Sequence, residues 1–598
     1  MTEQEAIAYI ENYTWSATRL GLDRTRALLH ALGDPQKRLK FVHVAGSNGK
    51  GSTCAMLESI LREAGYRTGL YTSPYIEDFC ERMRVDGENI PGETLARLTG
   101  RVRVLADAME DHPSQFELVT AIAMEYFREA GCEIVVLEVG MGGALDSTNA
   151  IDAPEVAVIT NLALEHTEYL GSTLAEIAET KAGIIKSGCS AVAYPNAPEV
   201  TDVIEAVCRE KGVPLRWADF EAIVPVSDGL DGQVFNYVNQ KSLKIPLLGA
   251  HQLKNAAMAL EAVEALRERG WTIPDEAVRQ GLAQTKWPAR FEVLHRAPLF
   301  LLDGGHNPQC AGALADCVER YLPGQKPVFL MGVLADKDYD AMLRTVLPLG
   351  REFVCLTPEN PRALTGEALA DAIRALGGKA EAAASIPEGI RLALQAGGPV
   401  VAFGSLYLAG AIRSAFPKAI KRHQRKAAIA GREGLSPAER AARSEAICAR
   451  IRGTEAYRRA KTVLVYSAVG AEVDLSGLLS DNKRFCFPCC VSKTEMEAML
   501  PGGWKTGAFG IREPDPARSE LIDPAEIDLV LAPCAGFDED GNRVGMGAGY
   551  YDRYLPQCVH AKVIAVAFEA QKLEAVFTGK YDRTMDFIVT EECVYKRV

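Results

Sequence analysis

The sequence lacks an excess of positive charge. It carries 66 Lys and Arg against 79 Asp and Glu, which gives a formal net charge of −13 at pH 7. Most of such a surface would repel a phosphate backbone or an anionic lipid headgroup. The composition therefore argues against nucleic acid as a general partner, while a local basic patch stays open.

Long hydrophobic runs are also missing. The first residues, MTEQEAIAYI, have neither the positive charge nor the apolar core of a signal peptide. No uninterrupted apolar run reaches the ~18 residues that a membrane span requires. We expect a cytoplasmic protein with no membrane partner, and we expect it to be a monomer.

The fifteen cysteines lack regular spacing. In a large acidic chain this pattern indicates reduced, mostly buried thiols rather than a disulfide framework. The one local cluster is CFPCC, Cys486 to Cys490. It could hold zinc, but a second Cys or His pair at a suitable distance is not evident, so we predict the end of a buried strand.

Short apolar runs alternate with helical patterns along the whole chain, which is typical of α/β units with parallel sheets. The runs fall into three groups: KFVHVAG, TGLYTS, EIVVLEVG and EVAVITN; LFLLDGG, PVFLMGV and PVVAFGS; KTVLVYS, DLVLAPC and KVIAVAF. We predict three α/β domains, at residues 1–290, 291–417 and 418–598.

The second domain boundary is marked by a change of charge. Lys418 to Lys461 carries thirteen Lys and Arg against four Glu, with the helix start signal LSPAER inside it. Such a stretch could bind nucleic acid. In an acidic protein we favour a solvated helical face that also contacts a nucleotide phosphate. The first boundary is softer and follows TKWPARFEV.

The segment FVHVAGSNGKGST, residues 41 to 53, predicts an anion site. A strand, a glycine-rich loop and a helix beginning at Ser52 follow in order, so backbone N–H groups and the helix dipole favour phosphate oxygens. Lys50 adds positive charge, and the Ser52 hydroxyl stands where a Mg²⁺ ligand would. Because Gly51 follows the lysine where Ser or Thr is usual, a ligand-free structural turn is the alternative.

Two further polar residues follow apolar strands. Glu138 lies near the end of EIVVLEVG, and His166 follows EVAVITN by a few residues. Ligands of open parallel sheets gather outside the carboxyl ends of the strands, so both residues are expected near the loop. A carboxylate, a hydroxyl and an imidazole make a suitable shell for Mg²⁺-ATP, although a purely structural His is the alternative.

Residues 1 to 417 resemble folylpolyglutamate synthase, which is often bifunctional with dihydrofolate synthase and belongs to the wider Mur-ligase superfamily. The resemblance rests on motifs that occur in the same order as in the family: HVAGSNGKGS, YTSPYIEDFCERMRVDGENI, LEVGMGGALDSTN, ITNLALEHTEYLG, KAGIIK, LLGAHQLKNA, WPARFE, LLDGGHNP, GVLADKD and FGSLYLAG. It implies a Mur-ligase-like P-loop NTPase domain and a smaller α/β ligase C-terminal domain.

The resemblance also implies residue roles. The ATP phosphates would be bound by Gly46, Asn48, Gly49, Lys50 and Gly51, and magnesium by Ser52, Glu138 and His166. Lys181 would be carbamylated and support a second metal, unless it is an ordinary lysine. Asn255, Arg290, Asp303 and His306 would complete the ATP site. Ser73 and Pro74 would contact folate and Tyr407 the glutamate, with Lys50, His166, Lys181, Asp303 and His306 as catalytic residues.

The implied reaction is carboxylate activation. A folate γ-carboxylate attacks the γ-phosphate of ATP, and the amine of L-glutamate displaces phosphate from the acyl phosphate to form an amide. Tyr75 and Ala144 depart from the residues usual in the family, so glutamate addition is implied more firmly than conversion of dihydropteroate to dihydrofolate.

A second glycine-rich segment runs from Val530 to Leu555, VLAPCAGFDEDGNRVGMGAGYYDRYL. A strand, a turn and three spaced glycines precede an aromatic helix start. A calcium loop would need a later bidentate Glu, which is lacking. A glycine hairpin without a ligand is the other alternative.

This segment resembles 5-formyltetrahydrofolate cyclo-ligase over about residues 418 to 598, supported by LSPAERAARSEAI, VYSAVGAEVD, FGIREPD and YDRTMDFIVTEE. The implied nucleotide residues are Arg543, Gly545, Gly547, Gly549, Tyr550, Tyr551, Asp552 and Arg553, with Lys421 and Arg425 or Arg432. Glu472, Phe509 and Pro514 would contact folate, and Tyr551 would be catalytic. ATP would phosphorylate the formyl oxygen, after which N10 closes the ring and gives 5,10-methenyltetrahydrofolate.

The sequence thus predicts a fusion of two ATP-dependent folate enzymes, with reduced folates, L-glutamate and 5-formyltetrahydrofolate as substrates. Two alternatives remain. One is a Mur-type ligase that acts on another carboxylate, and the other is a catalytically silent folate- or nucleotide-binding protein.

Overall fold

The computed structural model describes residues 1–11, 21–164, 170–507 and 510–596. The chain divides into two compact units. The first comprises Met1–Leu294, Leu301–Ser385 and Gly398–Arg413, and the second comprises His295–Phe300, Ile386–Gly397 and Ser414–Val598. Among the described helices, none combines the length and the apolar character that a bilayer span needs.

The first unit contains a sheet of eight described strands. In sheet order these are Glu88–Asn89, Met83–Val85, Thr68–Tyr71, Ile134–Glu138, Phe41–Ala45, Val156–Ile159, Ser190–Ala193 and Leu215–Trp217. The strands from Thr68–Tyr71 to Leu215–Trp217 pair in parallel. Every residue of the two central strands is buried, as expected for a parallel sheet that is covered on both faces.

Helices cover both faces of this sheet. They are Glu3–Glu11, Asp23–Ala31, Lys50–Glu63, Gly92–Ala106, Gln115–Ala130, Leu174–Ala182, Pro198–Lys211, Ala250–Glu268 and Asp275–Gln284. One core packs helix Lys50–Glu63 against Ala250–Glu268, and another contains Gln115–Ala130. A small antiparallel sheet, Gln240–Ile245, Gly232–Tyr237 and Ile223–Gly229, packs onto the first core.

A six-stranded sheet follows in sequence. Its order is Glu292–Arg296, Leu299–Leu302, Val400–Phe403, Val328–Met331, Glu352–Cys355 and Ala380–Ala382. The helices between these strands are Pro308–Tyr321, Tyr339–Val346, Gly366–Ala375 and Ile386–Ala396. The loop after Leu299–Leu302 carries Asp303 to His306 and leads into helix Pro308–Tyr321, where the Asn307 side chain caps the helix by accepting from Cys310 N.

The second unit contains another sheet of eight described strands. Its order is Glu520–Ile522, Met496–Leu500, Arg484–Cys490, Thr462–Leu464, Leu529–Pro533, Lys562–Val566, Phe587–Val589 and Val594–Lys596. Two strand pairs, Trp504–Thr506 with Arg512–Pro514 and Gly536–Phe537 with Arg543–Val544, accompany it. The helices are Pro437–Gly453, Glu455–Arg459, Tyr550–Tyr554 and the later part of Leu406–Glu433.

The α/β class is confirmed, and each of the ten apolar runs singled out in the sequence contains a strand. The CFPCC segment ends strand Arg484–Cys490, as predicted. The LSPAER signal begins helix Pro437–Gly453, where Ser436 and Glu439 form a capping box. Helix Lys50–Glu63 begins two residues earlier than predicted, so Lys50 lies in its first turn.

The predicted domain boundary between residues 417 and 418 falls inside helix Leu406–Glu433, which continues through Pro417. No loop therefore separates residues 417 and 418, because both lie in one continuous helix. The three domain ranges stay a prediction.

Candidate active sites

The first glycine-rich loop connects strand Phe41–Ala45 to helix Lys50–Glu63. At two of its glycines, a larger side chain would clash with neighbouring residues. A Cβ at Gly46 would lie 1.8 Å from Thr160 Oγ1. Gly49 has φ +88°, and a Cβ there would lie 2.4 Å from Asn255 Oδ1. The loop backbone is thus packed as closely as only glycine allows, and its N–H groups at the helix start form an anion site.

Two lysines converge on the loop. Lys50 Nζ donates to the carbonyl oxygens of Gly46 at 2.9 Å and Ser47 at 3.2 Å. Lys181 Nζ, which is 2% exposed, donates to the same Gly46 carbonyl at 2.9 Å. The amino groups of both lysines therefore contact the backbone of this loop.

A cavity of about 670 Å³ lies above this loop. The predicted site residues that line it are Asn48, Gly49, Lys50, Gly51, Ser52, Ser73, Pro74, Glu138, Asn255, Arg290, Asp303 and His306. Gly46, Lys181 and Tyr407 are not among its lining residues, although Leu406 is. His166 lies outside the described residues.

Ser52 and Glu138 form the polar floor of the cavity. Ser52 is 2% exposed and Glu138 is 5% exposed, and Glu138 Oε2 accepts a hydrogen bond from Ser73 N at 3.1 Å. Burial raises the pKa of Glu138, while the positive charge of Lys50 opposes that rise. A hydroxyl and a carboxylate oxygen facing one cavity are hard ligands of the kind that Mg²⁺ prefers, so the donor set fits this ion.

The opposite wall comes from the loop after strand Leu299–Leu302. Asp303 accepts hydrogen bonds from Phe291 N at 2.8 Å and from Gly305 N at 2.7 Å, which fix its carboxylate. Burial lowers the pKa of His306 to about 4, and its Nδ1 lies 3.2 Å from Gly304 O. His306 is therefore a neutral imidazole at neutral pH.

Asn48 joins the glycine loop to this wall. Its Oδ1 accepts from Asn307 Nδ2 at 3.0 Å and from Cys310 Sγ at 3.3 Å, while its Nδ2 donates to Gln309 Oε1. The phosphate loop and the start of helix Pro308–Tyr321 are thus held together by one side-chain amide.

Sequence reasoning missed His251 and Gln309, which also line the cavity. Burial lowers the pKa of His251. Its signal was present, because His251 precedes the predicted Asn255 by four residues and therefore shares its face of helix Ala250–Glu268. Gln309 had no comparable signal.

The second cavity has a volume of about 1150 Å³ and lies in the second unit. The predicted residues that line it are Lys421, Arg425, Arg432, Glu472, Arg543, Gly545, Gly547, Gly549, Tyr550, Tyr551, Asp552 and Arg553. Pro514 is buried but is not among the lining residues, and Phe509 lies outside the described residues.

Basic side chains lie beside the second glycine-rich loop. Arg425 Nε donates to Gly545 O at 2.7 Å, and Lys421 forms an ion pair with Asp582. Gly547 has φ +111°, and a Cβ there would lie 3.3 Å from Arg425 Nη2. Lys421 and Arg425 line the same cavity as the loop, so an acidic protein presents local positive charge there, as a phosphate site requires.

The helix that ends the loop contributes Tyr551. Arg543 Nη2 donates to Asp552 Oδ1 at 2.8 Å, and the Arg543 guanidinium lies 5.7 Å from the centre of the Tyr551 ring. The Tyr551 hydroxyl is buried, and within the described ranges it has no hydrogen-bond partner. Burial raises its pKa, so the hydroxyl is protonated and can donate to a ligand.

Two glutamates also line this cavity, in addition to Asp552 and Asp582. Glu472 Oε2 accepts from Val469 N at 3.0 Å, and its carboxylate lies 3.8 Å from Arg432 Nη1. Burial raises the pKa of Glu472. The second acid, Glu513, was missed, although it precedes the predicted Pro514; side chains alternate along strand Arg512–Pro514, so only one of the two can face the cavity.

The family comparisons agree with this two-cavity arrangement. Residues 44–263 match the Mur ligase middle domain, residues 289–406 the Mur ligase glutamate ligase domain, and residues 417–591 the 5-formyltetrahydrofolate cyclo-ligase family. Folylpolyglutamate synthase of Lacticaseibacillus casei is 36% identical over 427 residues, which cover 69% of this chain and 98% of that protein. The chain belongs to the folylpolyglutamate synthase family.

Other members support the assignment. Dihydrofolate synthase/folylpolyglutamate synthase of Escherichia coli is 34% identical, with 61% of this chain and 83% of that protein covered. The crystal structure of Mycobacterium tuberculosis folylpolyglutamate synthase with ADP and AMPPCP has a TM-score of 0.64 at 32% identity and covers 69% of this chain and 99% of that one. With its cyclo-ligase domain, this member of the synthase family is a bifunctional folate enzyme and an ATP-dependent ligase, as the sequence predicted.

Proposed function

We propose that the first cavity adds L-glutamate to tetrahydrofolate and its polyglutamates. The observation that carries this assignment is one cavity lined by the glycine loop with Lys50, by Glu138, and by Asp303 and His306 from the opposite wall. The loop would bind the triphosphate of ATP, and Ser73 and Pro74 would contact the folate. These residues would bring the folate carboxylate and the γ-phosphate into one enclosed space, and this orientation would supply much of the rate.

The folate γ-carboxylate attacks the γ-phosphorus of ATP, and ADP leaves. The glutamate amine then attacks the acyl carbon, and phosphate leaves as the amide forms. Lys50 Nζ is within reach of the loop and offsets charge on the transferred phosphoryl group. Ser52 and Glu138 would hold a Mg²⁺ ion, which supplies further charge neutralisation when bound.

The second cavity would convert 5-formyltetrahydrofolate to 5,10-methenyltetrahydrofolate. The formyl oxygen attacks the γ-phosphorus of ATP, and ADP leaves. N10 then attacks the formyl carbon and loses its proton, and phosphate leaves from that carbon. Lys421, Arg425 and Arg543 would bind the phosphates of ATP, while Glu472 lies on the folate side. The basic loop and the buried carboxylates in one cavity support this assignment.

A direct assay tests both reactions. The purified full-length protein is incubated with ATP, Mg²⁺, tetrahydrofolate and L-glutamate, and products are separated by mass. In parallel it is given 5-formyltetrahydrofolate and ATP, and the methenyl product is followed by absorbance. We expect both products; absence of glutamylated folate would reject the first assignment, and absence of the methenyl product the second.

Dihydrofolate synthase activity is a second candidate for the first cavity. The Escherichia coli relative carries that name together with folylpolyglutamate synthase. Dihydropteroate and L-glutamate offered with ATP should then yield dihydrofolate. A protein that glutamylates tetrahydrofolate but leaves dihydropteroate unchanged would exclude this activity.

We further propose that the protein acts as a monomer in the cytoplasm, on small molecules and without nucleic acid. The net charge of −13 supports the exclusion of nucleic acid. Light scattering after size-exclusion chromatography should give the mass of one chain, 64.8 kDa. Twice that mass, or retention of the protein on a DNA or RNA column, would contradict the proposal.

A further inference from the structure

Glu513 lies in the wall of the cyclo-ligase cavity and is buried. It is 3% exposed and occupies the middle of strand Arg512–Pro514, which pairs with Trp504–Thr506. A Cβ at Gly507 would lie 2.4 Å from the Glu513 carboxyl carbon, so the facing strand end leaves space for this group only as glycine. The carboxyl group therefore packs directly against the backbone of Gly507.

The partners of this carboxyl group are weak. Cys489 Sγ lies 4.0 Å from Glu513 Oε2, and Cys490 is the other thiol that hydrogen-bonds it. Lys505, the cross-strand partner of Glu513, hydrogen-bonds Cys489, and in the part of the chain that the structure describes no Lys or Arg forms an ion pair with Glu513 itself. Thiols are poor donors, and a buried carboxyl group without strong donors is costly unless a ligand provides them.

Glu472 provides the contrast within the same cavity. That carboxylate has Arg432 at 3.8 Å and the backbone N–H of Val469 at 3.0 Å. Glu472 is thus already supplied with donors by the protein, whereas Glu513 is not. Of these two carboxyl groups, Glu513 is therefore the one that still needs strong hydrogen-bond donors, which a bound ligand can provide.

We propose that Glu513 recognises the 2-amino-4-oxopyrimidine edge of the folate ring, accepting hydrogen bonds from N3–H and from the 2-amino group. This inference rests on the proposed cyclo-ligase function. Two parallel N–H groups on one ring edge match the two oxygens of a carboxylate, as in bidentate pairs. The other ring system that enters the cavity, the adenine of ATP, also carries an amino group but has no adjacent N–H on its six-membered ring.

The test combines a substrate analogue with a substitution. For the wild-type protein, kcat/KM for 5-formyltetrahydrofolate is compared with that for its 2-deamino analogue. Because a hydrogen bond to a charged group contributes about 1.5–3 kcal/mol, we expect the analogue to be about 10- to 100-fold poorer. In Glu513→Ala, kcat/KM for the natural substrate should fall by a similar factor, while that for the analogue should fall by less, so that the preference for the natural substrate is lost.

The KM for ATP should remain unchanged in Glu513→Ala. Glu497→Ala is the matched control, since Glu497 pairs with Cys489 on the neighbouring strand but is not among the residues that line the cavity. This control should leave the preference for the natural substrate intact. Glu513→Gln keeps the side-chain volume and replaces one acceptor oxygen by a donor, so it should also lose the preference.

Equal use of both substrates by the wild-type protein would overturn the inference without any substitution, and so would an analogue penalty that persists in Glu513→Ala. If Glu513→Ala does not fold, the wild-type comparison and Glu513→Gln decide. Failure of the wild-type protein to cyclise 5-formyltetrahydrofolate at all would instead reject the proposed function.

Discussion

Lys50 Nζ donates a hydrogen bond to the carbonyl oxygen of Gly46 at 2.9 Å, which folds the lysine back onto the loop that precedes its helix. The amino group is thus held by a backbone acceptor beside the proposed phosphate site. In the proposed complex with ATP, the same group would exchange this backbone acceptor for a phosphate oxygen. Lys50 therefore supplies, next to the loop itself, the positive charge that would oppose the negative charge of a bound phosphate.

Lys50→Gln should therefore lower glutamate ligation at saturating substrate by about 100-fold or more, in line with the loss of one group that offsets charge in a transition state. The melting temperature should change little, because the backbone carbonyls remain accessible to the new amide. The measurement is the rate of glutamylated product by mass spectrometry. A rate within about twofold of the wild-type rate, well inside one tenfold step of about 1.4 kcal/mol, would remove Lys50 from the mechanism.

Gly49→Ala should weaken both folding and nucleotide binding in the first unit. The residue has φ +88°, and a Cβ would lie 2.4 Å from Asn255 Oδ1. A non-glycine residue in this conformation costs about 1–3 kcal/mol. We expect a lower midpoint of urea unfolding and a higher KM for ATP in ligation.

Gly100→Ala is the matched control for that substitution. Gly100 lies within helix Gly92–Ala106, where a Cβ meets nothing within 4 Å. Alanine there should stabilise the protein by about 0.5–1 kcal/mol. The account of the loop would be contradicted if both alanines had the same effect.

Lys181 offers a separate prediction. Its Nζ donates to Gly46 O at 2.9 Å, and a carbamate would keep one N–H on that nitrogen for the same bond while adding two oxygen atoms that could ligate a metal. If carbamylation occurs, ligation should depend on dissolved CO₂. We predict that ligation falls in bicarbonate-depleted buffer and recovers on addition of bicarbonate, and that Lys181→Ala shows no recovery; indifference of the wild-type protein to bicarbonate would contradict carbamylation.

Tyr551→Phe should separate binding from stability in the second unit. The hydroxyl is buried without a partner among the described residues, so its removal should leave stability unchanged or raise it. Loss of a hydrogen bond to the substrates should lower kcat/KM for cyclisation by about 5- to 10-fold. Tyr554→Phe, in the same helix but away from the cavity lining, should leave kcat/KM unchanged.

His43 predicts how the first unit responds to acid. Burial lowers its pKa from 6.5 to about 3, and its Nε2 lies 2.9 Å from Thr148 Oγ1. Between these two values the unfolded chain binds a proton that the folded chain does not, so stability is lost as the pH falls below 6.5. His43→Gln, which cannot titrate, should lose less of its melting temperature than the wild type between about pH 7.5 and pH 5; equal losses would contradict this.

Much of this arrangement was predictable because local sequence determines it. Strand, glycine loop and helix follow one another around Lys50, and the positions of Glu138 and Asp303 after apolar strands place them at the carboxyl edges of their sheets. His251 could have been found from its four-residue spacing to Asn255. These features follow from short-range patterns, namely the spacing of residues along a helix and the succession of strand, loop and helix.

Other features depend on contacts between residues that are distant in the chain. Asn48 bonds Asn307 across 259 positions, and no local pattern predicts which amide meets which. The choice between Glu513 and Pro514 required knowing which face of a three-residue strand meets the cavity. Helix Leu406–Glu433 continues through Pro417 because its packing outweighs the lost backbone hydrogen bond, which local propensity alone predicts as a break.

The central claim is that one chain uses ATP for folate chemistry at two separate cavities. The most direct test measures both reactions on the wild type, on Lys50→Gln and on Arg543→Ala, each verified as folded. We predict that Lys50→Gln loses ligation and keeps cyclisation, while Arg543→Ala loses cyclisation and keeps ligation. If either variant lost both activities together, the claim of two independent sites would be wrong.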